Sequence, residues 1–63
     1  MNRIREIREK RKMQQKELAS RALVTAPYLH DLEIGHRGAK PETLKRIADA
    51  LGVQVEELMM KGG

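Results

Sequence analysis

Apolar residues recur along this chain at intervals of three and four, the spacing that places them on one side of an amphipathic α-helix. Glycine and proline fall almost entirely between these periodic segments, where they interrupt regular structure. The pattern predicts five short helices, over about residues 2–12, 15–22, 26–33, 41–51 and 55–60. In the fourth of them it predicts that Leu44, Ile47, Ala48 and Leu51 face the core.

Several helix ends are predicted from single residues, beginning with Asn2 as a good N-cap for the first helix. Thr25 is a good N-cap for the third helix, and Pro27 in its first turn loses no hydrogen bond because that N–H has no intrahelical partner. Gly35 suits the left-handed conformation that ends this helix. Gly52 followed by Val53 predicts a Schellman ending for the fourth helix.

The second and third predicted helices are joined by only three residues, 23–25. Ala19 is small enough to lie where the two helices cross, and Leu29 and Leu32 are three residues apart on the side that faces the core. The opposite side of the third helix is polar or short. This arrangement, over about residues 15–34, is typical of a helix-turn-helix.

The same segments carry a family resemblance that covers nearly the whole chain, from residue 4 to about 58. The matching stretches are IREIR at 4–8, QKELA at 15–19, PYLHDLEIG at 27–35, and ETLKRIA at 42–48 leading into ALGV at 50–53. In this order the sequence resembles the phage-repressor (Cro/repressor, or XRE) family of DNA-binding domains. The resemblance implies an all-α, compact five-helix domain of the lambda-repressor-like type, with a central helix-turn-helix.

The resemblance also implies roles for individual residues. Residues implied to contact bases or the groove are Ala26, Pro27, Tyr28, His30 and Asp31. Those implied to contact phosphate are Gln15, Thr25, His36, Arg37 and Lys40, and Gln15 is also implied to support the recognition helix. Arg8 and Glu33 match a structural salt bridge, and both lie beside apolar residues of their own helices.

The sequence departs from the family pattern at several positions. Leu23 stands where relatives usually have glycine, so we expect a strain of about 1 kcal/mol if its φ is positive. Ala26 replaces a common basic residue, and Asp31 repels phosphate although its carboxylate can accept from a cytosine amino group. Usual capping positions carry residues that cap poorly: Gln14, Lys40 and Gln54.

Composition and charge narrow the function classes. With 63 residues, 40% of them hydrophobic, the chain is expected to form one small domain over 1–60, with a flexible tail at 61–63. It has no cysteine, which excludes a disulfide framework and a thiolate zinc site. A chain of this size has little room for a deep substrate cavity, so we expect a binding protein rather than an enzyme. Residues 1–40 hold ten basic and five acidic side chains, which favours a polyanionic partner.

Two side-chain patterns leave alternatives open. Tyr28, the only aromatic residue, either contacts DNA or covers the helix surface. The spacing of His30, Glu33 and His36 superficially suggests a metal site, but Gly35 interrupts the helix before His36. We therefore expect no metal and no cofactor.

An apolar chain end, formed by Val55, Leu58, Met59 and Met60, is a candidate dimer surface, although Leu58 is most simply explained as a core residue. The leading hypothesis is a sequence-specific transcriptional regulator that binds double-stranded DNA at a palindromic operator as a homodimer. The alternative is an antitoxin-like module that binds a partner protein. Because no signal peptide or membrane-spanning run is recognisable, we expect a cytoplasmic protein without membrane contact.

Overall fold

The computed structural model describes residues 2–59 and confirms the all-α, five-helix fold class. The described residues contain no strand, and none of their helices is long and apolar enough to cross a membrane. The helices are α1 Ile4–Lys10, α2 Gln15–Arg21, α3 Ala26–Glu33, α4 Pro41–Leu51 and α5 Val55–Met59.

All five helices contribute to one apolar core. α2 packs against α3 and α4, and α4 packs against α5. The main-chain N–H of Arg3 donates to the carbonyl of Leu58 at 2.7 Å, which joins the start of α1 to α5. The fully or almost fully buried apolar side chains are Ile4, Ile7, Leu18, Ala19, Ala22, Leu29, Leu32, Ile47, Ala48, Leu51 and Leu58.

One feature of the core and one helix end differ from the prediction. On α4 the side chain of Leu44, predicted to be in the core, is only half-buried, whereas Thr43 is buried. The first helix is also shorter than predicted, because α1 ends at Lys10 and Lys12 adopts a φ of 54°. A residue in that left-handed conformation cannot continue a right-handed helix.

The two glycine helix ends agree with the prediction. Gly35 after α3 has a φ of 83°, and Gly52 after α4 has a φ of 75°. Beyond Gly52, the N–H of Val53 donates to the carbonyl of Ala48 at 3.0 Å, which is the long hydrogen bond of a Schellman motif. These glycines therefore end their helices without the strain that a side chain would impose.

The ends of α1 and α2 have the same geometry without glycine. After α2, Leu23 has a φ of 61°, and the N–H of Val24 donates to the carbonyl of Ala19 at 3.0 Å. After α1, Lys12 occupies the equivalent position. The strain expected at Leu23 is therefore present, and a second strained position at Lys12 was not predicted from the sequence.

Helix starts are capped unevenly. The Thr25 hydroxyl accepts a hydrogen bond from the N–H of Tyr28 at 3.2 Å, as predicted. Gln14 and Lys40 make no side-chain capping bond. At the start of α5 the main-chain N–H of Gln54 donates to the carboxylate of Glu57 at 2.9 Å, which is half of a capping box.

Candidate nucleic-acid interface

α3 lies on the surface with one side in the core. Leu29 and Leu32 are buried there, so the helix is held by its apolar side. The residues predicted to face a groove lie on the remaining surface: Pro27 and His30 are exposed, and Ala26, Tyr28 and Asp31 are half-buried.

The carboxylate of Glu33, at the end of α3, is held by Arg8 of α1. The Arg8 guanidinium donates to it through Nε at 2.7 Å and through a terminal nitrogen at 3.1 Å. The other terminal nitrogen donates to the carbonyl of Met13 at 3.0 Å. The hydrogen bond to Glu33 raises the pKa of Arg8, so the guanidinium is charged at every accessible pH.

Gln15, at the first position of α2, joins the same cluster. Its side-chain amide donates to Glu33 at 3.1 Å. The Gln15 side chain therefore joins the first turn of α2 to the end of α3. Glu33 thus receives hydrogen bonds from both helices that precede α3 in the chain.

Asn2 adds a further link between α1 and α3. Its side-chain amide donates to the main-chain carbonyl of Leu32 at 2.8 Å, and its side-chain oxygen accepts from the N–H of Ile4 at 3.1 Å. Asn2 was predicted as the N-cap of the first helix, whereas the structure has Arg3 in that position. From the position before the N-cap, the Asn2 side chain accepts a hydrogen bond from the first turn of α1 and donates one to the end of α3.

The turn between α2 and α3 is supported from α4. Nε of Arg46 donates to the main-chain carbonyl of Ala22 at 2.9 Å. Sequence reasoning missed this contact, because nothing near Arg46 in the sequence indicates which carbonyl it meets. The side chain of Leu23 in the same turn is 78% exposed.

The loop after α3 places the cationic side chain of Arg37 against the side of α3 that is predicted to face a groove. Arg37 lies with its guanidinium carbon 5.6 Å from the centre of the Tyr28 ring. Its Nε is 3.7 Å from the carboxylate of Asp31. His36 and Lys40, the other two loop residues predicted to meet phosphate, are exposed. The sequence did not predict that Arg37 contacts two of the groove residues.

The spacing of His30, Glu33 and His36 does not build a metal site within residues 2–59. No group of three potential metal-binding side chains comes together there, and the carboxylate of Glu33 points to Arg8 and Gln15.

At the predicted dimer surface the four residues have different environments. Leu58 is fully buried in the core of its own chain, so its side chain leaves no surface for a partner. Met59 is 53% exposed, and Val55 is half-buried against the core. Met60 lies outside the described residues. Among the described residues, Met59 is therefore the main apolar group that this end presents.

Comparisons with a family model and with known proteins agree on the kind of protein that this chain resembles. A sequence model of the family described as helix-turn-helix matches residues 4–58. The chain is 39% identical over 57 residues to the HTH-type transcriptional regulator DdrOP3 of Deinococcus deserti, covering 90% of this chain and 44% of that protein. It is 41% identical over 61 residues to the HTH-type transcriptional repressor RghR of Bacillus subtilis, covering 95% and 45%.

A phage protein and a solved structure extend the similarity. The immunity repressor protein of Bacillus phage phi105 is 39% identical over 57 residues, covering 90% of this chain and 40% of that protein. The crystal structure of the clp gene regulator ClgR from C. glutamicum superposes with a TM-score of 0.81 at 31% identity, covering 86% of this chain and 70% of that one. The chain spans less than half the length of the three sequence relatives. The match over residues 4–58 shows that this chain belongs to the XRE-type helix-turn-helix family.

Proposed function

We propose that this chain is the sequence-specific DNA-binding domain of a transcriptional regulator, with α3 as the helix that enters the major groove. The observation that carries the proposal is the two-sided character of α3. Leu29 and Leu32 anchor it in the core, while Pro27, His30 and their neighbours remain accessible. A helix held in this way can contact base edges without changing the fold.

Charge around α3 supports a polyanionic partner. Predicted phosphate contacts lie at both ends of α3. Thr25 immediately precedes the helix, and the loop after it carries His36, Arg37 and Lys40. Lys40 is exposed and forms no ion pair within residues 2–59, so its charge is available to a phosphate. Contacts of this kind determine orientation on the duplex, and side chains on α3 then read bases.

The names of the relatives favour transcription. DdrOP3 is named as a transcriptional regulator, RghR as a transcriptional repressor and the phage protein as an immunity repressor. None of these three is named as an antitoxin, so the antitoxin-like alternative has no support of its own.

We further propose that two copies bind a palindromic operator. One such domain offers few base contacts, and a dimer on half-sites about 34 Å apart doubles them. Met59 is exposed beside half-buried Val55 and is our candidate for the contact between the copies. Apolar surface that remains exposed on α5 is consistent with this arrangement.

Selection of bound sites from random double-stranded DNA tests the proposed function. We expect enrichment of one palindromic sequence, and we expect affinity for it to fall steeply between about 50 and about 200 mM salt. Failure to enrich any sequence at about 50 mM salt, with the protein folded by circular dichroism, would contradict sequence-specific binding. Enrichment of a single asymmetric half-site would retain DNA binding and contradict the dimer.

A further inference from the structure

We propose that Arg37 is a positioning residue that sets the base preference of α3 through Tyr28 and Asp31, in addition to any contact with phosphate. This inference rests on the proposed function. It assigns the loop after α3 a part in sequence reading, whereas the family resemblance implies only phosphate contact for Arg37.

The geometry that carries the inference is a three-residue cluster. Tyr28 and Asp31 are three positions apart on α3, so their side chains are neighbours on one side of the helix. The Arg37 guanidinium reaches both, with its carbon 5.6 Å from the Tyr28 ring centre and its Nε 3.7 Å from an Asp31 carboxylate oxygen. One loop residue therefore contacts two residues that face the proposed groove.

The backbone keeps Arg37 close to these partners. Gly35 has a φ of 83°, the left-handed conformation that ends α3. The next residue, His36, then donates its main-chain N–H to the main-chain carbonyl of Asp31 at 2.9 Å. Because Arg37 follows directly, its side chain starts beside the helix turn that carries Asp31.

The chemistry of the cluster bears directly on sequence reading. An unpaired carboxylate close to DNA is repelled by phosphates, so the Arg37 charge makes Asp31 tolerable at this position. An aspartate in a major groove accepts a hydrogen bond from the amino group of cytosine. The planar guanidinium can also lie over an aromatic ring, which restricts the Tyr28 side chain in a way that lysine does not reproduce.

Site selection from random DNA separates positioning from simple phosphate contact. The proteins compared are wild type, Arg37→Ala, Arg37→Lys and the matched control Lys40→Ala, which removes an exposed cation from the same loop. We expect Arg37→Ala to lose about fivefold or more of the wild-type preference at the bases read by Tyr28 and Asp31. Arg37→Lys should restore part of that preference, and Lys40→Ala should retain all of it at lower affinity.

The outcomes distinguish this inference from the proposed function. A wild-type protein that selects no sequence would contradict the proposed function. A wild-type protein that selects a site, together with an Arg37→Ala variant that selects the same site with uniformly lower affinity, would overturn the positioning role alone. Coupling through Asp31 predicts that Arg37→Ala changes base preference less in an Asp31→Asn background, and an equal change in both backgrounds would also overturn it.

A measurement without DNA checks the cluster itself. Arg37 is 61% exposed, so its replacement by alanine leaves the core in place. We expect the ring resonances of Tyr28 to shift in Arg37→Ala because the overlying guanidinium is gone, and to be unchanged in Lys40→Ala. Identical Tyr28 ring resonances in wild type and Arg37→Ala would contradict the cation–π contact on which the inference depends.

Discussion

The guanidinium of Arg8 at α1 and the carboxylate of Glu33 at the end of α3 form a two-point ion pair, 25 positions apart in sequence, with hydrogen bonds of 2.7 and 3.1 Å. The two side chains are 12% and 2% exposed. Both charges are therefore largely removed from water. Each is compensated by the other and by one further hydrogen bond, from Arg8 to the Met13 carbonyl and from Gln15 to Glu33. The pair joins α1 directly to the end of α3.

Removing only Arg8 should be more damaging than removing both partners. We expect Arg8→Met to lower the free energy of unfolding by about 3 kcal/mol, because it leaves a buried carboxylate without its counter-charge. Arg8→Met combined with Glu33→Leu should recover most of that loss, since neither charge then remains buried. Urea denaturation followed by circular dichroism measures both values.

A matched control for this pair lies on α1. Arg5 pairs with Glu9 at 3.2 Å, but these side chains are 65% and 57% exposed. Arg5→Met should therefore change the free energy of unfolding by less than about 1 kcal/mol. If the double variant loses as much stability as Arg8→Met and Glu33→Leu lose together when measured singly, the buried pair is not energetically coupled.

Leu23 in the turn between α2 and α3 should be replaceable by glycine with a gain in stability. Its φ of 61° is strained for a residue with a side chain, and its side chain is 78% exposed, so little packing is lost. We expect Leu23→Gly to stabilise the domain by about 0.5–1 kcal/mol, with a small rise in the melting temperature by differential scanning calorimetry.

The opposite substitution, made after α3 at a glycine with a similar φ, provides the control. Gly35 has a φ of 83° and nothing within 4 Å of the position that a Cβ would occupy, so Gly35→Ala introduces strain without a clash. It should destabilise the domain by about 1 kcal/mol. A Leu23→Gly variant that melts below wild type would show that the leucine side chain stabilises the turn by more than its backbone strain costs.

Met59 should affect the association of two copies rather than the fold of one. It is 53% exposed at the end of α5, so a charged replacement is accommodated in the monomer and opposes an apolar contact. We expect Met59→Lys to shift the sedimentation profile towards monomer. Leu23→Lys, which changes an exposed leucine in another part of the molecule, should leave that profile as in wild type. Equal profiles for Met59→Lys and wild type would remove α5 as the interface.

His30 and Lys40 should have different effects on DNA binding. His30 is exposed on α3, and His30→Ala is expected to alter which bases are preferred. Lys40 lies in the loop after α3, and Lys40→Ala should weaken binding to all sequences alike and reduce the slope of log affinity against log salt by about 1. Fluorescence anisotropy on the selected site and on single-base variants measures both effects. A uniform loss from His30→Ala would contradict base reading by this residue.

The sequence by itself determined where the helices lie and what family they form. The periodic apolar residues indicate which segments are helical. Helix starts and ends follow from Pro27, Pro41, Gly35 and Gly52, because proline and glycine act on the backbone within one or two turns. The predicted bounds of α3 and α4 agree with the structure.

Only the tertiary structure decided the contacts among long side chains. It placed Arg37 on Tyr28 and Asp31, joined Gln15 to Glu33, and directed Arg46 to a main-chain carbonyl of the turn. It also gave Lys12 the left-handed conformation that follows the end of α1. Such outcomes depend on where helices cross and on which polar atoms remain without partners there, and local periodicity contains neither.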